Sequence, residues 1–254
     1  MPLIETESLV LKSYNLAEAD KIVVLLTRDH GVVRGVAKGA KRLKSRFGSG
    51  LEPFSEIKVS YFEKENAELV SIQKVDLLKS NFTAAANPDF LQKFSYLGDI
   101  LLSFAQPHDR DEKLYRMVRA CVAAGADDPE NSLPRVGVYF EMWLLKLAGF
   151  LPDWSRCNQC RRVLEAHEDA NVQVNFQLLC ANCRKAKSSR VMDGKTREIV
   201  AAVLKLSPVQ FVSHAKDVDE RLRDLSSTLK QLISTSIGRE VPRETSLALK
   251  ANQR

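Results

Sequence analysis

The sequence contains no apolar run of about 18 residues, the minimum length for a membrane-spanning helix. Its first residues, MPLIETESLV, carry two glutamates and no basic residue, whereas a secretory signal peptide needs basic charge followed by an apolar core. Cysteine is scarce, with five residues in 254, and an odd fifth thiol would be a liability in an oxidising compartment. We therefore expect a cytoplasmic protein without a membrane partner.

Signatures of common enzyme classes are absent as well. The sequence has no H-E-x-x-H or G-x-S-x-G motif and no fingerprint for nicotinamide or flavin nucleotides. Gly194, Lys195 and Thr196 resemble the end of a phosphate-binding loop, but Ser189 stands where that motif needs its first glycine. The four histidines are scattered, and no carboxylate cluster of the kind that a nuclease uses accompanies the basic residues. These absences favour a protein that is not an enzyme.

Acidic residues are missing from residues 30–51, which form the most basic part of the chain. The six basic residues of this segment equal the formal net charge of the whole chain, +6. Cations without local acidic partners remain available to phosphates, and glycines let a backbone approach a nucleic acid closely. We therefore predict a nucleic-acid interface here, with Phe47 either stacking on a base or packing in the core. The predicted binding residues are Arg34, Lys38, Lys41, Arg42, Lys44, Arg46 and Phe47.

Strand-like patterns fill the first 80 residues. Five short runs rich in β-branched and aromatic residues are separated by glycine bends: SLVLKSY, KIVVLLT, GVVRGVA, EIKVSYF and ELVSIQKV. A small barrel is the expected result, and the OB-fold is the common five-stranded solution, although an SH3-like barrel gives a similar pattern.

After Asn81 the apolar period changes from two to about 3.6, which predicts helices. We expect one helix over residues 133–148 that ends at Gly149 and another that begins after Asp193 as its N-cap. The last predicted helix carries an apolar stripe of Val218, Leu222, Leu225, Leu229 and Leu232. The predicted class is α+β, with a barrel (1–80), a helical domain in two parts (81–150 and 190–238), a cysteine-bearing insert (151–189) and a flexible tail (239–254).

Four of the five cysteines form two C-x-x-C pairs, Cys157 with Cys160 and Cys180 with Cys183, separated by nineteen residues. Each such pair offers two thiolates to one tetrahedral ion. Four sulfurs leave no open coordination position, so we predict one structural zinc ion, Zn2+. The alternative is a set of redox-active dithiols or disulfides, although neither pair follows a strand in a thioredoxin-like unit. The fifth cysteine, Cys121, is expected in the core.

Three stretches together resemble the bacterial RecO family of DNA repair and recombination mediators. The first is ESLVLKSYNLAEADKIVVLLTRDHGVVRGVAKGAKRLKSRFGSGLEPF, which contains the E-A-D-x-I element of the family at residues 18–22. The second is LLKLAGFLPDWSRCNQC, and the third is the second cysteine pair. Near the cysteines, Arg161 stands where a glycine is usual, and VNFQLLC lacks the familiar paired glycines.

The resemblance implies an N-terminal OB-fold, a helical domain and a zinc module inserted between the helices of that domain. It implies a bacterial, nucleoid-associated protein that binds single- and double-stranded DNA and anneals complementary strands. It also implies cooperation with the RecR protein in loading the RecA recombinase onto DNA coated by single-strand-binding protein, without nucleotide hydrolysis.

The acidic, apolar C-terminal tail of single-strand-binding protein is a further partner that the resemblance implies. Such a tail needs an apolar pocket and a basic rim. Lys113, Arg116 and Arg119 lie beside apolar residues in the helical middle of the chain, and we predict that they bind this tail.

Two other classes of protein remain open from the sequence alone. A ribosomal or transcriptional zinc protein would also be basic and rich in paired cysteines, but it would bind structured RNA. A protein adaptor would keep its partners in the absence of DNA and would show little salt-sensitive DNA binding.

Overall fold

The structure is a computed structural model that describes residues 2–16, 18–63, 68–184, 190–214 and 219–240. Internal contacts divide the chain into two compact units, with Met1–Leu133 in the first and Pro134–Val241 in the second. The predicted tail, residues 239–254, lies outside the described residues from position 241 onward.

The first unit begins with a closed barrel of five strands, in the order β1-β2-β3-β5-β4 with β4 pairing back onto β1. Inward-facing residues of all five strands form its core. The predicted α+β class and the five-stranded barrel of OB type are confirmed. The strands are β1 (Leu3–Leu16), β2 (Asp20–Thr27), β3 (Val32–Ala37), β4 (Glu56–Phe62) and β5 (Val70–Lys79).

The barrel closes through a short parallel seam between β3 and β5. Only two residue pairs define it, Gly35 with Val70 and Val36 with Ser71, whereas all other neighbouring strands are antiparallel. A Cβ atom on Gly35 would lie 2.6 Å from the Ile72 side chain. Glycine is therefore needed where β3 approaches β5.

Helices follow the barrel within the first unit. Asn87 accepts two backbone N–H bonds at the start of one helix, and Asp111 caps the next by accepting from the Leu114 N–H. Cys121 is fully buried, as predicted for a core residue. These helices are α1 (Phe82–Ala85), α2 (Pro88–Phe104) and α3 (Glu112–Asp127).

A longer helix, α4 (Pro129–Leu147), crosses from the first unit into the second. It begins four residues before the predicted start at 133, because Pro129 suits the first turn and the Asp128 carbonyl accepts from the Ser132 N–H. Its end is confirmed at Gly149, which has φ +79° and terminates the helix in the left-handed region.

Among its described residues, the second unit contains a three-stranded sheet in the order β7-β6-β8, a short 3-10 helix (Ala181–Cys183) and three further α-helices. Asp193 is confirmed as an N-cap, since its carboxylate accepts from the Thr196 N–H at 2.7 Å. The predicted stripe of the last helix is buried, except that Val218 lies outside the described residues. The elements are β6 (Ala170–Val172), β7 (Leu178–Leu179), β8 (Arg190–Met192), α5 (Gly194–Lys205), α6 (Pro208–His214) and α7 (Asp219–Ile237).

No helix within the described ranges combines the length and the apolar character that crossing a membrane requires.

Candidate nucleic-acid interface and metal centre

Residues 38–50 leave β3 as a series of tight turns, and we call them the basic loop. The loop bonds to itself: Arg42 N–H donates to the Gly39 carbonyl, Ser45 N–H to the Arg42 carbonyl and Gly50 N–H to the Phe47 carbonyl, at 2.9 to 3.1 Å. These backbone bonds fix the path of the loop although it contains no helix or strand.

The far end of the basic loop is anchored inside the barrel by Phe47. Its side chain is 3% exposed and belongs to the barrel core together with Leu51. The Arg46 guanidinium lies 4.9 Å from the centre of the Phe47 ring, and Arg46 also donates to the Ile72 carbonyl. The prediction that Phe47 stacks on a base is therefore wrong, because the barrel already covers the ring, and the packing alternative holds.

The near end of the basic loop is held by the turn between β1 and β2. The Asp20 carboxylate accepts from Gly39 N–H at 2.8 Å, and the Ala19 carbonyl accepts from Lys41 N–H at 2.9 Å. Gly39 adopts φ +74°, which favours glycine. These contacts give the E-A-D element a structural role that the sequence did not reveal, since Asp20 and Gly39 are nineteen positions apart.

The remaining cations of the predicted interface are exposed. Arg46 is exposed too, but it is engaged as described above. Across the described residues, none of the other five forms an ion pair with a carboxylate; nearby Lys21, by contrast, lies 3.5 Å from Glu52. Unpaired cations on an ordered loop can neutralise phosphates without first breaking an ion pair. The five are Arg34, Lys38, Lys41, Arg42 and Lys44.

The four predicted metal ligands converge at one point in the second unit. All four Sγ atoms lie within 4.8 Å of one another, and the Cys160 and Cys180 sulfurs are 3.9 Å apart. A tetrahedral ion with metal–sulfur bonds of about 2.3 Å needs sulfurs roughly 3.8 Å apart, so the donor set fits a metal ion. All four cysteines are free thiols, which does not support the disulfide alternative.

Backbone N–H groups donate to the sulfur of Cys157, the first cysteine of this cluster in the sequence. Burial alone would raise the pKa of Cys157, but N–H donors from Cys160, Cys180 and Gln159 outweigh burial and lower the pKa to about 6. The Cys180 N–H lies 3.4 Å from the Cys157 sulfur. Cys157 is thereby prepared as a thiolate, the form that binds a metal.

Left-handed backbone shapes the two loops around the cluster. Arg161 has φ +63°, and its N–H donates to the Cys157 carbonyl at 2.9 Å. Phe176, in the hairpin between β6 and β7, has φ +62°. Both residues thus adopt a conformation that favours glycine, although each carries a side chain.

One buried arginine connects α5 to residues 151–184, which contain the four thiols and which we call the cysteine module. The Arg197 guanidinium donates to the carbonyls of Leu164, Glu165 and Glu168 and is 8% exposed as a residue. Burial lowers the pKa of Arg197 from its ordinary value, and the three carbonyls satisfy most of its donors. The module is thus fixed by side chains as well as by its thiols.

Comparison with known proteins gives matches over both units. The family models described as Recombination protein O N terminal and Recombination protein O C terminal match residues 1–81 and 94–244. The chain belongs to the RecO family. A curated relative, the DNA repair protein RecO of Koribacter versatilis (strain Ellin345), is 29% identical over 246 residues, which cover 96% of this chain and 97% of the relative.

Membership of the RecO family bears on one of the alternatives that the sequence left open. The curated relative is named a DNA repair protein, so the ribosomal or transcriptional zinc protein is set aside. The N-terminal RecO match covers the whole barrel and the basic loop, and the C-terminal match covers all four cysteines.

One of the three residues predicted to bind the tail of single-strand-binding protein forms an ion pair with the barrel. Lys113 and Arg116 are exposed on α3, but Arg119 lies 2.6 Å from the Glu56 carboxylate, which is 7% exposed. Arg119 therefore links α3 to β4. The apolar neighbours Leu114, Met117 and Val118 are buried and do not line an open pocket.

The Gly194, Lys195 and Thr196 stretch forms the start of α5. Gly194 opens α5, and a Cβ atom there would lie 2.3 Å from the His167 carbonyl oxygen, so close packing requires the glycine. The Asp169 carboxylate accepts from Gly194 N–H and the Asp193 carboxylate from Thr196 N–H. Two carboxylates thus occupy the helix terminus that a phosphate would need.

Proposed function

We propose that this chain is a non-enzymatic DNA-binding mediator of recombinational repair that binds and anneals single-stranded DNA. The observation that carries the proposal is a set of five exposed cations, on and beside an ordered loop of the barrel, that have no carboxylate partner in the part of the chain that the structure describes. Membership of a DNA repair family supports DNA as the polyanion. We place the protein in the bacterial cytoplasm, associated with the nucleoid.

The basic loop promotes annealing by reducing charge repulsion. Two complementary strands repel each other through their phosphates, and cations that neutralise phosphates on both strands lower this barrier. Because Asp20 and Phe47 hold the two ends of the loop, Lys38, Lys41 and Arg42 stay exposed together. The chain supplies binding and charge neutralisation and breaks no covalent bond.

The four thiols hold one structural zinc ion in this proposal. Zinc favours tetrahedral sulfur coordination, and a closed set of four ligands leaves no position for a substrate. Cys157, Cys160, Cys180 and Cys183 are the ligands. The ion stabilises the module of the second unit and takes no part in chemistry.

The decisive experiment reverses the charge of the basic loop. A Lys38→Glu, Lys41→Glu, Arg42→Glu variant should bind single-stranded DNA far more weakly. The slope of log K against log salt should become shallower by about 2 units, since each lost phosphate contact removes roughly 0.7. Annealing of complementary oligonucleotides should slow in parallel.

The matched control reverses three exposed cations of the second unit, Lys195, Lys205 and Arg223. Both variants change the net charge by the same amount, from +6 to zero. Loss of binding in both variants would attribute DNA affinity to net charge alone, and unchanged affinity in the folded loop variant would reject the interface.

We also propose RecR and the tail of single-strand-binding protein as partners that assist recombinase loading. Lys113 and Arg116 are the candidate contacts for the tail carboxylates, since Arg119 is engaged by Glu56. A tail peptide should bind several-fold more weakly to a Lys113→Glu, Arg116→Glu variant than to a Lys195→Glu, Arg223→Glu control. Equal affinity for both variants would remove α3 as the contact.

A further inference from the structure

Tyr14 is an exposed aromatic residue of the barrel, most of whose aromatic residues are buried. It is 50% exposed near the end of β1, whereas Phe47, Phe54 and Tyr61 are at most 3% exposed. Phe62 is half-buried. With Phe47 removed as a base-stacking residue, Tyr14 is the most exposed aromatic residue in the described part of the barrel.

Strand register places Tyr14 beside two apolar residues in a row on the outer face of the barrel. Tyr14 pairs with Ile22, Ile22 with Val36, and Val36 with Ser71, so the row crosses four strands. Ile22 and Val36 are half-buried. The residues that alternate with them point inward, as shown by the fully buried Val23 in the barrel core.

Unpaired cations border this row. Arg34 lies two residues before Val36 on the same face of β3, about 7 Å away along the strand, and Lys38 follows directly after the strand. Both belong to the five cations for which the described ranges contain no carboxylate partner. Asp20, the acidic residue next to Ile22 on this face, already accepts the N–H of Gly39.

We propose that Tyr14, backed by Ile22 and Val36, is a stacking site for an unpaired base of single-stranded DNA, with Arg34 and Lys38 at the neighbouring phosphates. This inference rests on the proposed DNA-binding function and adds a preference for single-stranded over double-stranded DNA. An aromatic ring stacks on any unpaired base, whereas the bases of a duplex are stacked on one another and are not free. Tyr14 therefore favours single strands over duplexes, while the basic loop attracts both.

The test compares Tyr14→Ala and Tyr14→Phe with the wild-type chain, using an oligothymidine, a duplex of equal length and an abasic oligonucleotide. Tyr14→Ala should weaken oligothymidine binding about tenfold, within the range for loss of one stacked base. Duplex and abasic affinities should stay within twofold. Tyr14→Phe should behave like wild type, because the ring is retained.

The control is Leu78→Ala, which removes a similarly exposed apolar side chain from β5 and should leave oligothymidine affinity unchanged. The salt slope of Tyr14→Ala should match wild type, since no phosphate contact is lost. Circular dichroism melts establish that each variant is folded.

Two outcomes would overturn the stacking site. If Tyr14→Ala binds oligothymidine as tightly as wild type while the loop reversal abolishes binding, Tyr14 is not a stacking residue and the proposed function stands. If Tyr14→Ala weakens abasic and oligothymidine binding equally, its effect does not come from a base. Normal DNA binding by both the Tyr14→Ala and the loop-reversal variants would reject the proposed function as well.

Discussion

Single residues of the cysteine module carry backbone strain that glycine would not. An L-residue in the left-handed region brings its Cβ atom close to the following carbonyl oxygen. Arg161 and Phe176 both adopt this conformation beside the thiols. Each loop keeps this shape because its backbone hydrogen bonds outweigh the free-energy cost of the left-handed conformation.

Replacing Arg161 with glycine should stabilise the protein. Relief of the left-handed strain is partly offset by the greater freedom of glycine in the unfolded chain, leaving a gain of about 0.5 to 1 kcal/mol in the free energy of unfolding. Urea denaturation of the metal-bound protein measures this gain. Arg184→Gly is the control, since Arg184 has φ −66° and should lose stability. A loss in both variants would contradict the strain argument.

The interior position of Phe47 leads to a second prediction at this scale. Phe47→Ala should lower the free energy of unfolding by about 3 to 5 kcal/mol, because it leaves a cavity in the barrel core. Tyr14→Ala, which removes an exposed ring, should change it by less than about 1 kcal/mol. Thermal melts of the two variants distinguish a packing residue from a surface residue; similar melts would place Phe47 at the surface.

At the scale of elements, the cysteine module is held to α5 by contacts to backbone carbonyls. Arg197 donates from α5 to three carbonyls, which the fixed fork of donors on a planar guanidinium allows. Within the module, the indole N–H of Trp154 donates to the Phe176 carbonyl at 2.7 Å. Module and helix therefore depend on each other for stability.

Arg197→Met should leave these carbonyls without their donor. We expect the free energy of unfolding to fall by about 2 to 3 kcal/mol and metal release to a chelator to accelerate. Arg223→Met, at an exposed site of α7, is the matched control and should release metal at the wild-type rate. Equal release rates in the two variants would show that Arg197 does not hold the module.

Some elements were predictable from local patterns and others were not. Strand runs between glycines, the Asp193 cap and the cysteine spacing are local, and the structure agrees with each. The burial of Phe47 was not predictable, because a loop aromatic between cations has the same sequence whether it faces inward or outward. The Asp20 contact was missed because it depends on how the β1–β2 turn meets the basic loop.

At the scale of the whole molecule, the two candidate sites belong to different compact units. The basic loop lies in the first unit and all four cysteines lie in the second. Each unit has its own buried core, so damage to one site need not unfold the other.

Metal removal should therefore separate the two sites experimentally. Freshly purified protein should contain one zinc per chain by elemental analysis. A Cys157→Ser, Cys180→Ser variant should lose hydrogen-exchange protection over residues 154–184 while β1 to β5 keep theirs. Affinity for single-stranded DNA should stay within about threefold. Absence of metal, or equal loss of protection in the barrel, would contradict this division.

The position of the parallel seam in the sequence determines when the barrel can close during translation. β5 pairs with both β3 and β4, so the barrel cannot close until Lys79 has been translated, 42 residues after Ala37. At roughly 5 to 20 residues per second, β3 waits about 2 to 8 s with an unpaired edge. An exposed strand edge invites pairing with another nascent chain.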